Sequence, residues 1–267
     1  MSYPVALGAI VLTTSNNVLR FTEGASTGNA TIATGTYYLR GDGAAGDLLP
    51  ALVTALQNAN ASANTYTVTV SRSIDPAVAH TTITITRATG TDNFGVLWAD
   101  VATTFDEALL GFSANDTVNA TAKTSTKACA AAWVSNDVAR EIEPYSERVV
   151  AVPRAVSGRV QGVTRSARMQ SWRLGLSFVD ERRMLVENAL AGTQDTLEGF
   201  MERFGAGASL ELHEQQSVTG TTLAALSSST LVDVVHFSED ALLRFEPTRI
   251  GPGVPLYSLD LRLNAKV

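Results

Sequence analysis

Residues 65–86 read TYTVTVSRSIDPAVAHTTITIT, which is the pattern of two strands joined by a short loop. Large apolar side chains alternate with threonines in residues 66–70 and again in residues 82–86. A period of two is typical of a strand that buries one face and exposes the other. Residues 73–80 join the two runs, so the sequence predicts an antiparallel hairpin with its threonines on one face.

The residues on either side of this hairpin predict a small α+β module. Before it, apolar residues recur at helical spacing over residues 48–56, with Asp47 as the expected N-cap. After it, residues 94–98 predict a third strand, which is followed by a short helix that Gly111 stops. We therefore expect residues 1–120 to form one α+β unit.

The second half of the chain is predicted to be strand-rich with one long helix. Residues 121–127 lie in a polar stretch rich in Thr and Asn and are predicted as a linker to residues 128–267. In residues 169–179, Trp, Leu and Phe alternate with Arg, Gly and Ser, which specifies the register of a strand. The helix is predicted over residues 181–204, where Gly192 offers a point for a kink or a break. The fold class is therefore α+β.

Charge is distributed unevenly along the chain. The 20 basic and 26 acidic residues give a net charge of −6, which argues against a dedicated nucleic-acid binder because phosphate binding needs a cationic face. Between residues 148 and 173, however, arginines occur without any Asp or Glu. These arginines are Arg148, Arg154, Arg159, Arg165, Arg168 and Arg173.

Three uses of the six arginines are compatible with the sequence. They are a solvated strand face, a surface that contacts another subunit or an acidic partner, and a contact with nucleic acid. Guanidinium groups favour paired hydrogen bonds with carboxylates at interfaces. We take the six as candidate subunit-interface residues, which would face acids such as Glu198, Glu202 or Glu211 of a neighbour.

Signatures of catalysis and metal binding are missing from the sequence. It contains no common nucleophile, zinc or phosphate-loop motif, and His80, His213 and His236 lack the spacing of zinc ligands. The single cysteine, Cys129, lies among alanines and is expected to be buried and inert. Residues 40–42 spell the integrin-binding tripeptide RGD, but the neighbouring glycines predict a tight turn. We therefore expect a non-enzymatic protein without cofactor or metal.

An ordered series of motifs runs from residue 37 to residue 112. It consists of the run YYLRGDG at residues 37–43, the predicted helix, the hairpin, the third strand and the ending LLGF at residues 109–112. This series resembles a module of structural proteins of tailed bacteriophages. In that family a short helix packs on a small sheet and the Leu-Gly-Phe corner closes the core, so the resemblance implies the same arrangement here.

The second half resembles tail-tube and distal-tail proteins of the same viruses. The resemblance rests on the strand at residues 172–179, the long helix after it and the strand at residues 209–213. Those proteins are β-sandwiches with a flanking helix, and they stack as rings in the virion tail. The resemblance implies that residues 128–267 form a β-sandwich-like domain flanked by the helix over residues 181–204.

These resemblances imply a non-enzymatic structural subunit of a phage tail, which forms a homo-oligomeric ring at or near the tail tube or its distal end. The expected partners are copies of the chain and other virion tail proteins. The expected location is the virion, assembled in the cytoplasm of the bacterial host. No run approaches the roughly 18 apolar residues of a membrane span, so we expect no membrane association.

Other functions stay open at this point. One is a head decoration or head–tail joining protein. Another is a carbohydrate-binding receptor module at the tail tip, in which Tyr37, Tyr38, Trp98 and Trp133 are the aromatic residues that could stack on sugars. A hydrolase acting on cell-wall glycan is a further alternative, and no catalytic motif supports it.

Overall fold

The structure is a computed structural model that describes residues 2–59, 64–115, 117–137, 141–147, 150–151, 164–165, 169–185, 196–205, 208–227, 230–237, 246–249 and 256–265. Within these ranges the chain is mostly β-strand with few helices. The helices are α1 (Leu48–Ala59), α2 (Glu181–Met184), α3 (Leu197–Phe204) and a 3-10 helix, Glu107–Leu110. The strands are β1 (Tyr3–Gly8), β2 (Ile10–Leu12), β3 (Val18–Glu23), β4 (Ser26–Thr31), β5 (Gly35–Tyr37), β6 (Thr65–Ser73), β7 (Thr81–Thr89), β8 (Phe94–Val96), β9 (Thr117–Ala120), β10 (Ala122–Thr124), β11 (Ala132–Val134), β12 (Glu141–Glu147), β13 (Val150–Ala151), β14 (Thr164–Arg165), β15 (Met169–Asp180), β16 (Leu210–Gln215), β17 (Val218–Thr219), β18 (Thr222–Leu223), β19 (Leu231–Phe237), β20 (Glu246–Arg249) and β21 (Leu256–Ala265).

The hairpin predicted from the alternating threonines is confirmed. Strands β6 and β7 pair antiparallel, with Val68 opposite Ile85 and Thr69 opposite Thr84. The valine and isoleucine side chains are buried, while Thr69 is exposed. Three more strands extend this hairpin into a five-stranded sheet in the order β10-β7-β6-β18-β17.

A second sheet and helix α1 enclose the first hydrophobic core. The sheet has four strands in the order β4-β3-β8-β9, and α1 packs on β4 and on β6. Three aromatic rings meet between the sheets, with the Phe21 and Tyr66 centroids 5.4 Å apart and those of Tyr66 and Phe94 5.6 Å apart. The predicted helix start is confirmed, since the Asp47 carboxylate accepts the Leu49 amide at 3.3 Å.

The Leu-Gly-Phe corner lies at the edge of this core. The chain turns at Gly111, which has a φ of 74° and accepts the Lys127 amide at 3.0 Å. The turn places the Phe112 ring against Trp98, with centroids 5.2 Å apart. The corner therefore packs the end of the 3-10 helix against the chain where it enters the second half.

The largest sheet contains eight strands. Seven of them follow the order β11-β1-β16-β19-β21-β15-β12, and β20 also pairs with β21. The alternation predicted in residues 169–179 is confirmed within β15, where Leu174 and Leu176 are buried and Arg173 is exposed. Helix α3 covers the apolar side of the sheet, where Leu197 and Phe200 join the same core as Leu174 and Leu212.

The structure does not separate the two halves at residues 121–127. Strand β10 (Ala122–Thr124) pairs with β7 and so covers the edge of the hairpin that β7 would otherwise expose. At the start of the chain, β1 lies between β11 and β16, with Val5 opposite both Val134 and His213. The first residues of the chain thus belong to the sheet of the second half, which the predicted unit 1–120 did not foresee.

The helix predicted over residues 181–204 is not one helix. Its predicted start is correct, because the Asp180 carboxylate accepts the Arg182 amide, but α2 ends at Leu185, where the backbone is extended. The Arg183 carbonyl accepts the Trp133 indole N–H at 3.1 Å, a contact made where the helix stops. Helix α3 then starts afresh at Thr196, whose hydroxyl accepts the Gly199 amide. Gly192 lies outside the described residues.

No helix in the part of the chain that the structure describes combines the length and the apolar character needed to cross a membrane.

The corner at Gly111 predicts a large effect of a single methyl group. A Cβ at Gly111 would lie 2.3 Å from the Lys127 carbonyl oxygen, whereas a Cβ at Gly43, which has the same φ of 74°, would meet nothing within 4 Å. We expect Gly43→Ala to cost about 1 kcal/mol, the penalty of a left-handed backbone alone, and Gly111→Ala to cost at least about 3 kcal/mol. Urea unfolding of both variants measures the difference, and equal losses would contradict this account of the corner.

Candidate functional site

The structure describes two of the six candidate interface arginines. Arg173 is in β15 and Arg165 in β14, while Arg148, Arg154, Arg159 and Arg168 lie outside the described residues. Strand β12 ends at Glu147 and β15 begins at Met169, and these two residues are register partners. Residues 148–168, which we call the arginine segment, therefore connect two neighbouring antiparallel strands.

A short ladder continues this hairpin beyond the large sheet. Val150 pairs with Arg165 and Ala151 with Thr164, which makes β13 and β14 an antiparallel pair. Among the described residues this pair forms a sheet of two strands. A two-stranded ladder is at best marginally stable in water by itself, so further contacts have to support it.

Arg173 has an acidic neighbour that a linear reading of the sequence does not show. Its register partner in β12 is Glu143, and its partner in β21 is Arg262. Residues 148–173 contain no acid in the sequence, and strand pairing alone brings Glu143 beside Arg173. Arg173 is exposed, and in the sheet it lies between a glutamate position and an arginine position.

One of the three acids expected to receive the arginines is excluded by burial. The Glu211 side chain is 2% exposed and forms an ion pair with Arg40 of the same chain. Glu198 and Glu202 lie on α3, and Glu202 is exposed. The prediction that Glu211 faces a neighbouring subunit is therefore wrong.

The Arg40–Glu211 pair ties the RGDG turn to the large sheet. The guanidinium donates from Nε to Glu211 Oε2 at 2.8 Å and from Nη2 to Oε1 at 2.5 Å. His213 contacts the same carboxylate, with Nε2 3.0 Å from Oε2. Arg40 also donates to the Ala45 carbonyl at 2.9 Å, so the RGD tripeptide is part of an internal turn, as the neighbouring glycines predicted.

The electrostatics of this cluster favour the ionised carboxylate. Burial alone would raise the pKa of Glu211, but hydrogen bonds from His213 and Arg40 outweigh it and hold that pKa below its ordinary value. The hydrogen bond to Glu211 in turn raises the pKa of Arg40. The pair is therefore charged at neutral pH and joins residues 171 positions apart in the sequence.

Glu211, His213 and Thr230 have the order of contacts seen in hydrolase triads, since His213 Nδ1 lies 3.2 Å from Thr230 Oγ1. Two contacts oppose that chemistry. The Thr230 hydroxyl donates to the Ser227 carbonyl at 2.7 Å, and Arg40 already neutralises Glu211. In a working triad the acid stabilises the imidazolium, whereas here the Glu211 carboxylate is already paired with the Arg40 guanidinium. The contacts favour a structural network.

Two buried arginines serve the fold rather than a ligand. Arg72 donates to the Leu39 and Arg40 carbonyls, and Arg183 donates to the Val134 and Asp75 carbonyls. Burial lowers the pKa of each to about 10. Each guanidinium joins segments that lie far apart in sequence, a role that no local motif signals.

The aromatic residues proposed for sugar stacking are mostly in the core. Trp98, Trp133 and Tyr38 are 5%, 1% and 9% exposed, and Tyr37 is half-buried. The Trp133 indole is also committed to the Arg183 carbonyl. A ligand therefore cannot stack on Trp98 or Trp133 in this fold.

A groove of about 590 Å³ opens at one end of the large sheet. The third tryptophan, Trp172, is half-buried there and donates its indole N–H to Asp233 Oδ2 at 2.8 Å. The remaining lining residues come from the end of β16 and the start of β19. They are Glu214, Gln215, Gln216, Ser217, Thr230, Leu231 and Val232.

Within the described ranges, no group of three or more His, Cys, Asp or Glu side chains is placed to hold a metal ion. Comparisons of the chain with models of protein families, with curated proteins and with solved structures find no match. The geometry of the chain itself is therefore the basis for any functional proposal.

The Glu211 cluster predicts a pH-dependent contribution to stability. Because the folded chain lowers the pKa of Glu211, the contribution is complete above the ordinary value of 4.5 and is lost as the pH falls through the lowered value. We expect Glu211→Gln to cost about 3 kcal/mol at neutral pH, since it leaves Arg40 without its counter-ion. Urea unfolding at about pH 7 and about pH 3 should show this loss shrinking at the lower pH.

The exposed Glu202 provides the matched control for that experiment. Glu202→Gln removes the same charge without touching a buried partner, so we expect a change within about 0.5 kcal/mol at both pH values. A Glu211→Gln effect that is independent of pH would contradict the assigned ionisation.

The single cysteine predicts a simple chemical result. Cys129 is fully buried, and burial raises the pKa of its thiol to about 12. Since the thiolate is the reactive form, a disulfide reagent such as DTNB should label the protein in urea but not under native conditions. Rapid labelling of the native protein would show that Cys129 is accessible.

Proposed function

We propose that the chain is a non-enzymatic structural subunit of a phage tail, which forms a homo-oligomeric ring at or near the tail tube or its distal end. Its partners in this proposal are copies of itself and other tail proteins of the virion. The subunit assembles in the cytoplasm of the bacterial host and remains in the virion. The observation that carries the proposal is the arginine segment, which leaves the large sheet at its edge strand β12.

An edge strand offers unpaired backbone groups, which a neighbouring subunit can cover. Among the described residues β12 pairs with β15, and the hairpin that the two strands form continues as the β13–β14 ladder. The arginine segment adds five guanidinium groups and no acid to this place. A run of arginines that follows an edge strand in the sequence is suited to a repeated contact between identical subunits.

The resemblance to ring-forming tail proteins includes a β-sandwich-like second domain. We place that domain in residues 128–267 together with strand β1, with α3 as its flanking helix. The buried alternation of Leu174 and Leu176 in β15, and the packing of Phe200 on the same core, support this part of the proposal. The closed contacts around Glu211 and His213 support a structural role over a catalytic one.

The proposal is tested by the size and shape of the purified protein. Light scattering after size exclusion should give a defined oligomer larger than a dimer, and negative-stain micrographs should show rings. Antibody labelling of virions that contain the chain should mark the tail. A protein that stays monomeric at high concentration, or label confined to the head surface, would contradict a tail ring.

Charge reversal tests the role of the arginine segment. We expect Arg159→Glu with Arg165→Glu to shift the midpoint of assembly at least about tenfold in protein concentration at low salt, and less at high salt, because salt screens exposed charges. The double change Lys123→Glu with Lys127→Glu alters the net charge equally at two exposed positions elsewhere. Equal effects of the two pairs would show that net charge alone controls assembly.

A further inference from the structure

The groove beside Trp172 lies at the end of the large sheet from which the arginine segment departs. Strand β15 begins at this end, and because neighbouring strands are antiparallel, β19 also begins here while β16 and β21 end. We propose that this groove receives arginine side chains from residues 148–168 of a second copy of the chain. The inference rests on the proposed ring and names the surface that the arginines contact.

The aromatic part of the groove is Trp172, which is held in place by its own hydrogen bond. Its indole N–H donates to Asp233 Oδ2 at 2.8 Å, so the ring is oriented before a ligand arrives. Of the three tryptophans it is the one that is not buried, since Trp98 and Trp133 are in the cores. A guanidinium group is attracted to an indole face, and Arg makes this contact more often than Lys.

The charge of the groove is negative. Glu214 lines it, Asp233 contacts Trp172, and no lysine or arginine is among the described residues that line it. The Glu214 carboxylate accepts a long hydrogen bond of 3.4 Å from Ser2 Oγ. Exposed Gln216 and Ser217 add neutral acceptors. The groove thus presents an aromatic ring and hydrogen-bond acceptors, which suit a planar cation with several N–H donors.

The chain itself supplies a ligand of this chemistry. Residues 148–168 contain Arg148, Arg154, Arg159, Arg165 and Arg168 and no Asp or Glu, so their charge complements that of the groove. Arg165 is held opposite Val150 in the β13–β14 ladder. It lies seven positions from Trp172, on the order of 20 Å along an extended chain.

A synthetic peptide provides the test. Residues 148–168 (RVVAVPRAVSGRVQGVTRSAR) are titrated into the full-length protein at low salt, and binding is followed by calorimetry and by quenching of tryptophan fluorescence. We expect saturable binding that protects Trp172 from acrylamide. Trp172→Ala and Glu214→Gln should each weaken binding about tenfold, with folding of each variant checked by circular dichroism.

Matched controls separate this groove from general attraction. Tyr37→Ala removes a half-buried aromatic ring on β5, and Glu202→Gln removes an exposed acid on α3, and neither should change the peptide's affinity. A peptide with lysine at all five arginine positions should bind several-fold more weakly, because an ammonium group lacks the planar fork. Equal binding of the two peptides, or equal losses in the control variants, would overturn the inference.

The outcome is distinguishable from failure of the ring proposal. If rings form normally in Trp172→Ala and Glu214→Gln, and the wild-type protein does not bind the peptide, the groove contact is overturned and the ring proposal stays intact. A wild-type protein that stays monomeric at high concentration would overturn the ring proposal, whether or not the peptide binds. Loss of both rings and peptide binding in Trp172→Ala supports the inference.

Discussion

The pairing of β1 with β11 and β16 is the contact on which the rest of the architecture depends. It places the first strand of the chain inside a sheet whose other members come from the second half. Closing so long a loop costs conformational entropy. Three further contacts between the two halves help to offset that cost. They are the Arg40–Glu211 ion pair, the pairing of β18 with β6, and the Arg203–Asp106 contact at 3.1 Å. The two halves are thus one interdependent structure.

This interdependence explains where charge is used inside the molecule. Arg40, Arg72 and Arg183 each connect segments distant in sequence, and two of them do so through carbonyl oxygens. A guanidinium has five donors in a rigid fork and can hold several backbone acceptors at once. Burying a guanidinium is costly, and the hydrogen bonds to these acceptors offset part of that cost. The arginines of residues 148–168 follow the β12 edge in the sequence, and we interpret them as an assembly surface.

Short-range patterns predicted local structure well. The threonine alternation predicted the β6–β7 hairpin, Asp47 and Asp180 predicted two helix starts, and the Leu-Gly-Phe ending predicted a turn at Gly111. Each of these features depends on residues within a few positions of one another. The prediction of one helix over residues 181–204 was wrong because an apolar helical stripe does not show contacts with distant side chains. At the end of α2, the Trp133 indole N–H donates to the Arg183 carbonyl.

Partners at long range were beyond such patterns. Cys129 was expected to be buried and is, but the burial of Glu211 beside Arg40 and the placement of Glu143 opposite Arg173 arise from strand order. The sequence by itself determined the α+β composition, the two faces of the hairpin and the concentration of arginine in residues 148–173, since these follow from local spacing and composition. Only the tertiary structure decided which acids are internal, which tryptophan borders a groove and which sheet holds the first strand, because those depend on contacts between residues far apart in the chain.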